Sequence, residues 1–180
     1  MQYRKPLSIL CLILFFSIQL FAQKPLPEDM DITGLWKGTM YNDSTQQILE
    51  YEIVISKEKG KYNGFSHTSY SINGQKYYGI KKINVRVAKD GKVVMQDAKW
   101  VENNYPGEQN KNVLQLNVLN VANSGDESFM DGLFVTNRSK SYNALTGRMS
   151  IKKVNPQVAQ SELMKYIQKN AAEDNLTVVK

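Results

Sequence analysis

From Ile32 to Val154 the apolar residues recur with a period of two, and turn-forming residues interrupt them every ten to sixteen positions. That period sends successive side chains to opposite faces, so the segment predicts strands covered on one side rather than helices. Eight strands are expected, near 32–42, 47–57, 61–72, 76–88, 92–101, 112–121, 129–136 and 144–154. Leu49, Tyr51, Ile53 and Ile55 share one face of the second, with Glu50, Glu52 and Ser56 opposite. Leu114, Leu116 and Val118 form the apolar face of the sixth, against Gln115 and Asn117. In the last, Leu145, Gly147, Met149 and Ile151 alternate with Thr146, Arg148, Ser150 and Lys152.

The connections are too short for parallel crossovers, which need a dozen or more residues. Asn73-Gly74 and Asp90-Gly91 suit primed hairpin turns, and Lys59-Gly60 closes a third hairpin. The layout is therefore a meander in which each strand pairs with its predecessor. The fourth strand breaks its own pattern. Tyr78 and Ile80 share one parity, whereas Ile83, Val85 and Val87 have the other, with Lys81-Lys82 between. A β-bulge there would restore one inward face and help a sheet to curl; a plain edge strand is the other reading. After Val154 the period lengthens. Asn155 and Pro156 are suited to begin a helix near 156–171, with Ala159, Leu163, Tyr166 and Ile167 on one stripe. Leu176 to Val179 could add a short strand. The expected fold is mainly β: an eight-stranded antiparallel up-and-down barrel with a C-terminal helix.

At 180 residues the chain suits one domain with a sizeable core, and its ten tyrosines and two tryptophans exclude low-complexity disorder. Residues 1–22 have the pattern of a secretory leader: Arg4 and Lys5, then an apolar run, then Ala22 before an expected cleavage near Ala22/Gln23. The apolar run is shorter than the roughly 20 residues that span a bilayer. Residues 23–30, with two prolines, read as a flexible lead-in, 31–154 as the barrel, and 155–180 as a helix and short tail packed on it. The expected product is exported, periplasmic or secreted, with no transmembrane span. Cys11, the only cysteine, lies inside the leader, so the processed chain has neither a disulfide nor a thiol nucleophile. Loss of Arg4 and Lys5 lowers the net charge from +6 to +4. The basic pairs Lys81-Lys82 and Lys152-Lys153 are isolated, so no nucleic-acid partner is expected.

No catalytic constellation stands out. His67 is the only histidine, sits among Ser66, Thr68 and Ser69, and has no nucleophile elbow to serve. Two acidic clusters, Glu28-Asp29-Asp31 and Asp126-Glu127-Asp131, lack calcium-loop spacing and read as solvated loop charge. No cofactor, metal or enzymatic activity is expected.

Gly34-Leu35-Trp36, at the start of the first strand of such a meander, resembles the opening motif of the lipocalin-like (calycin) barrels. The resemblance implies that Gly34 lets the backbone bend, that Trp36 plugs one end, and that a basic residue on the eighth strand covers the indole. Arg148 is the position that would match, although its parity sets it opposite Met149 and Ile151. The family's Thr-Asp-Tyr motif after the sixth strand is replaced by Ser124-Gly125-Asp126-Glu127-Ser128. It further implies a lumen that takes one small apolar molecule, and the aromatic candidates for lining it are Trp36, Tyr51, Tyr62, Tyr70, Tyr78 and Trp100. Tyr62, Gly64, Ser66, Thr68 and Tyr70 share one face of the third strand, which suits either a pocket wall or an outer face. An eight-strand barrel leaves room only for its own side chains or one small ligand. An interior of roughly 300 Å³ or more would favour a carrier; a filled barrel would favour an envelope or secreted interaction module.

Overall fold

The computed structural model describes residues 31–106 and 112–174. The expected leader 1–22, the lead-in 23–30 with Glu28 and Asp29, and the tail strand at Leu176–Val179 lie outside the described residues. Eight antiparallel strands close into one up-and-down barrel: β1 Gly34–Asn42, β2 Gln47–Glu58, β3 Lys61–Ile72, β4 Gln75–Val87, β5 Val93–Asn103, β6 Gln115–Ser124, β7 Glu127–Thr136 and β8 Thr146–Val154. One helix follows, α1 Glu162–Asp174. Closure is direct, β1 pairing with β8 from Leu35↔Val154 to Asn42↔Gly147. The layout is compatible with a lipocalin-like barrel.

Two of the expected tight turns form as the residue types dictate. Asn73 and Gly74 both adopt positive φ (51° and 79°), as do Lys59 and Gly60 (49° and 79°). Asp90-Gly91 differs. Only Gly91 turns left-handed there, inside a longer connection that bonds Gly91 N–H to the Ala88 carbonyl at 2.9 Å.

The end of the barrel where β1 begins is sealed. Trp36 lies inside, almost fully buried, and its indole N–H donates to the Ile32 carbonyl at 2.9 Å, so the polar atom is satisfied. Gly34 has φ +109°, which a side chain would strain, and a Cβ there would sit 3.2 Å from Lys153 Cε. Lys153 is also the residue facing Trp36 across the β1–β8 ladder, and its Nζ stands 5.9 Å from the ring centroid. Arg148, the expected cover, is exposed on the outer wall opposite Tyr41. The correction follows from register: β1 and β8 are antiparallel, so Trp36 meets the end of β8 rather than its start. Above Trp36 lies an apolar layer that includes Ile53, Ile55, Ile83, Met95, Leu119, Met130, Met149 and Ile151.

β6 turns the opposite face inward from the one its alternation suggests. Asn117 and Leu119 are buried, whereas Leu116 and Val118 look outward, Val118 being 38% exposed. Polar residues point inward because a polar layer is waiting for them there. The parity break in β4 is likewise resolved without a bulge in that strand. β4 pairs regularly with β3, so Ile83 and Val85 point in while Tyr78 and Ile80 point out. Ile80 is nevertheless buried, because α1 lays Leu163 and Ile167 over it, with Val54, Phe65 and Val101 around them. The irregularities fall on the partner strand: register shifts at Ile80/Lys81 and Lys82/Ile83 leave Val101 and Ala98 of β5 without β4 partners. The extra residue at Ala98 reverses the parity of β5 and brings Trp100 inside, opposite Lys81.

The helix starts later than expected. Asn155 caps a separate turn, accepting from Gln157 N–H at 2.9 Å, and α1 is capped by Ser161, whose Oγ accepts from Met164 N–H at 3.0 Å. Glu52, on the outer face of β2, receives Ser161 Oγ–H at 2.6 Å and Leu163 N–H at 3.0 Å. A carboxylate at the positive end of a helix dipole is favourable, and Lys37 Nζ completes the set at 2.9 Å. No described helix is long and apolar enough to cross a membrane.

Candidate functional site

At the end opposite Trp36 the barrel holds a cavity of about 420 Å³. Its position follows from the divergence of two strands. β5 pairs with β6 only from Val93 to Gln96 and then leaves it, bent by the two bulges. Where the ladder stops, the Asp97 carboxylate stands in for a main-chain acceptor and takes the Gln115 N–H at 2.9 Å.

Met40, Leu49, Phe134 and Leu145 give the cavity an apolar wall, and Trp100 and Tyr105 meet edge to face at 5.8 Å beside it. Its floor is polar. Lys81 Nζ pairs with Asp97 and lies 4.4 Å from the Trp100 ring centroid, an ion pair and a cation–π contact on one ammonium. Beneath them Gln115 Nε2 donates to Asn117 Oδ1 at 2.7 Å, and Tyr51 and Ser66 are buried close by. Burial pushes the Tyr51 phenol far above its ordinary value, and the Asp97 charge adds to the effect, so it stays protonated. Burial likewise raises the Tyr105 phenol, with the neighbouring Tyr70 and Asp97 reinforcing it. Trp100 Nε1 is buried without a hydrogen-bond partner among the described residues.

Of the six aromatic candidates, the structure brings three to this end. Trp100 lines the cavity, Tyr51 lies in the floor, and Tyr70 stands at the rim, its ring 5.5 Å from that of Tyr105. Trp36 is at the far end, as is Tyr62, which sits under Lys57 Nζ at 4.9 Å. Tyr78 lies on the outer wall, where its hydroxyl donates to Glu102. Sequence reasoning missed Lys81, Asp97, Gln115 and Asn117. The available signal was parity: Lys81 is in phase with Ile83 and Val85, and Asp97 with Val93 and Met95.

His67 is not an open surface residue. It faces outward from β3 but is 5% exposed, its ring 5.8 Å from that of Tyr78. A shallow cleft of about 470 Å³ borders it, with Lys76, Glu102, Glu162 and Lys165 around the edge. Burial lowers the His67 pKa, outweighing the nearby Glu52 charge, and keeps the imidazole neutral. Among the described residues no group of three or more His, Cys, Asp or Glu side chains is placed to hold a metal ion.

In comparison with known proteins, no family model, curated protein or solved structure matches this chain.

Proposed function

We propose that this chain is an exported barrel that binds one small amphipathic molecule in the cup above the Lys81–Asp97 pair, as a lipocalin-like carrier would. The supporting observation is the cavity itself. About 420 Å³ lies within the range of small-ligand sites, and its apolar wall with a few convergent polar groups matches their usual make-up. A merely filled barrel would close this space with side chains, as it does around Trp36. Export rests on the leader-like pattern of residues 1–22.

Native mass spectrometry of the chain purified from its own host tests the proposal. A small-molecule adduct is expected, released on denaturation and absent from a Thr68→Trp variant whose new indole fills the cup. A folded wild type with no adduct, or the same adduct on Thr68→Trp, would overturn it.

The interaction-module reading has one observation of its own. Leu133 is 63% exposed on the outer wall beside Val118, its cross-strand partner, and Val135 at 40% continues the patch. Leu163 and Ile167, by contrast, are committed to the barrel and offer no free face. A soluble partner lost on Leu133→Lys would support this reading; a chain that stays monomeric and partner-free in its host extract would count against it.

A further inference from the structure

We infer that the cup selects an uncharged ligand carrying a hydrogen-bond acceptor, such as a ketone, amide or ester, on a flat apolar body, in preference to a carboxylate. The inference rests on the proposed cup and adds the chemistry of the head group.

Charge balance comes first. Lys81 is the sole charged residue among the described ones lining the cavity, and its ammonium is already matched by Asp97, which is 5% exposed directly behind it. The floor therefore has no surplus positive charge. A carboxylate entering it would shed its hydration and meet the Asp97 carboxylate as well as the ammonium, a poor exchange in a low-dielectric site.

The donor inventory comes second. The Trp100 indole N–H is shut away from the cavity as well as from solvent, so its ring borders the space without offering that donor to a ligand. Lys81 keeps N–H groups beyond the one given to Asp97. The Tyr105 phenol is held protonated by its burial and borders the same space. Lys81 and Tyr105 therefore present donors at the floor, and an acceptor atom on the ligand is what matches them. Body shape comes third. The Trp100, Tyr105 and Phe134 rings that border the space give aromatic surface for a compact ring system to pack against.

Three probes of similar size separate these terms: 2-acetylnaphthalene (uncharged acceptor), 2-naphthoate (anionic acceptor) and 2-ethylnaphthalene (no acceptor), each titrated calorimetrically into the full chain. The ketone should bind about tenfold more tightly than the hydrocarbon, one hydrogen bond from a donor at the floor, and more tightly than naphthoate. Tyr105→Phe keeps an aromatic wall but removes the hydroxyl donor, so the ketone's advantage over the hydrocarbon should shrink to within about twofold while hydrocarbon binding persists. Naphthoate binding best, or ketone and hydrocarbon binding equally in the wild type, would overturn the head-group inference and leave the cup in place. Failure of all three probes to bind would overturn both. The wild-type series decides the matter even if Tyr105→Phe does not fold.

Discussion

Replacing Glu52 with glutamine alters one atom at the point where the barrel holds its helix. The carboxylate is 7% exposed and gathers three donors: Lys37 Nζ at 2.9 Å, Ser161 Oγ at 2.6 Å and Leu163 N at 3.0 Å. Burial works against its charge, but the bonds from Lys37, Ser161 and Leu163 outweigh that cost and hold its pKa below the ordinary 4.5. A glutamine keeps one acceptor for the helix end, loses the charge, and turns an N–H group toward Lys37. Hydrogen bonds to a charged group contribute about 1.5–3 kcal/mol, so the variant should loosen the helix by about that much. Such a loss opens the helix about 10- to 150-fold more often. Hydrogen exchange should therefore quicken across Glu162–Asp174 while β6 and β7, which supply none of the residues packed on Leu163 and Ile167, keep their protection. Because the folded pKa is depressed, the contribution is complete above the unfolded value and disappears as pH falls through the folded one. Wild type and Glu52→Gln should thus converge in acid, below pH 4.5. Helix amides that exchange at the wild-type rate in the variant at neutral pH, or a loss spread evenly around the barrel, would refute this reasoning.

Three other perturbations probe the closed end, the strand ladder and the buried histidine. Gly147→Ala would place a Cβ 1.9 Å from the Tyr41 carbonyl oxygen and 2.5 Å from a Phe134 ring carbon, so the chain should lose about 2–3 kcal/mol in urea unfolding; an unchanged midpoint contradicts the packing. Lys153→Met should cost about 0.5–1 kcal/mol and shift the Trp36 emission, whereas Arg148→Met should leave that emission alone; the reverse pattern would restore Arg148 as the cover. Burial lowers the His67 pKa below 6.5, so the unfolded chain binds its proton first. Stability is then full above pH 6.5, declines as pH falls from there to the folded value, and levels off below it. His67→Phe should flatten that slope in urea midpoints taken across the window, and a persistent slope would place the titration elsewhere.

Strand positions and the meander were legible because period-two patterning and glycine turns are local properties, whereas the placing of Trp36 inside was implied by the lipocalin-like resemblance of Gly34-Leu35-Trp36. The inward faces of β4 and β6 were harder. Ile80 looks like a core position and is one, but the core it joins is made by Leu163 and Ile167 outside the barrel. Gln115 and Asn117 look like surface positions because alternation is read as apolar-in, and here the interior holds a polar layer around Asp97. Trp100 is inside only because Ala98 is inserted in the β5 ladder, and no residue type announces a bulge. Choosing Arg148 rather than Lys153 failed for the same reason: β1–β8 register is set by closure of the whole sheet, not by any turn between them. The helix start moved because Asn155 and Ser161 are both competent caps, and the choice went to the one within reach of Glu52.

Whether the open end holds a small molecule over the Lys81–Asp97 layer is decided most directly by intermolecular NOEs from 2-acetylnaphthalene to the isotope-labelled full chain. Saturable contacts to Thr68, Trp100, Phe134 and Leu145, with none to Trp36, are the result predicted. Contacts confined to the cleft beside α1 or to the outer wall at Leu133, or none that saturate, would contradict it.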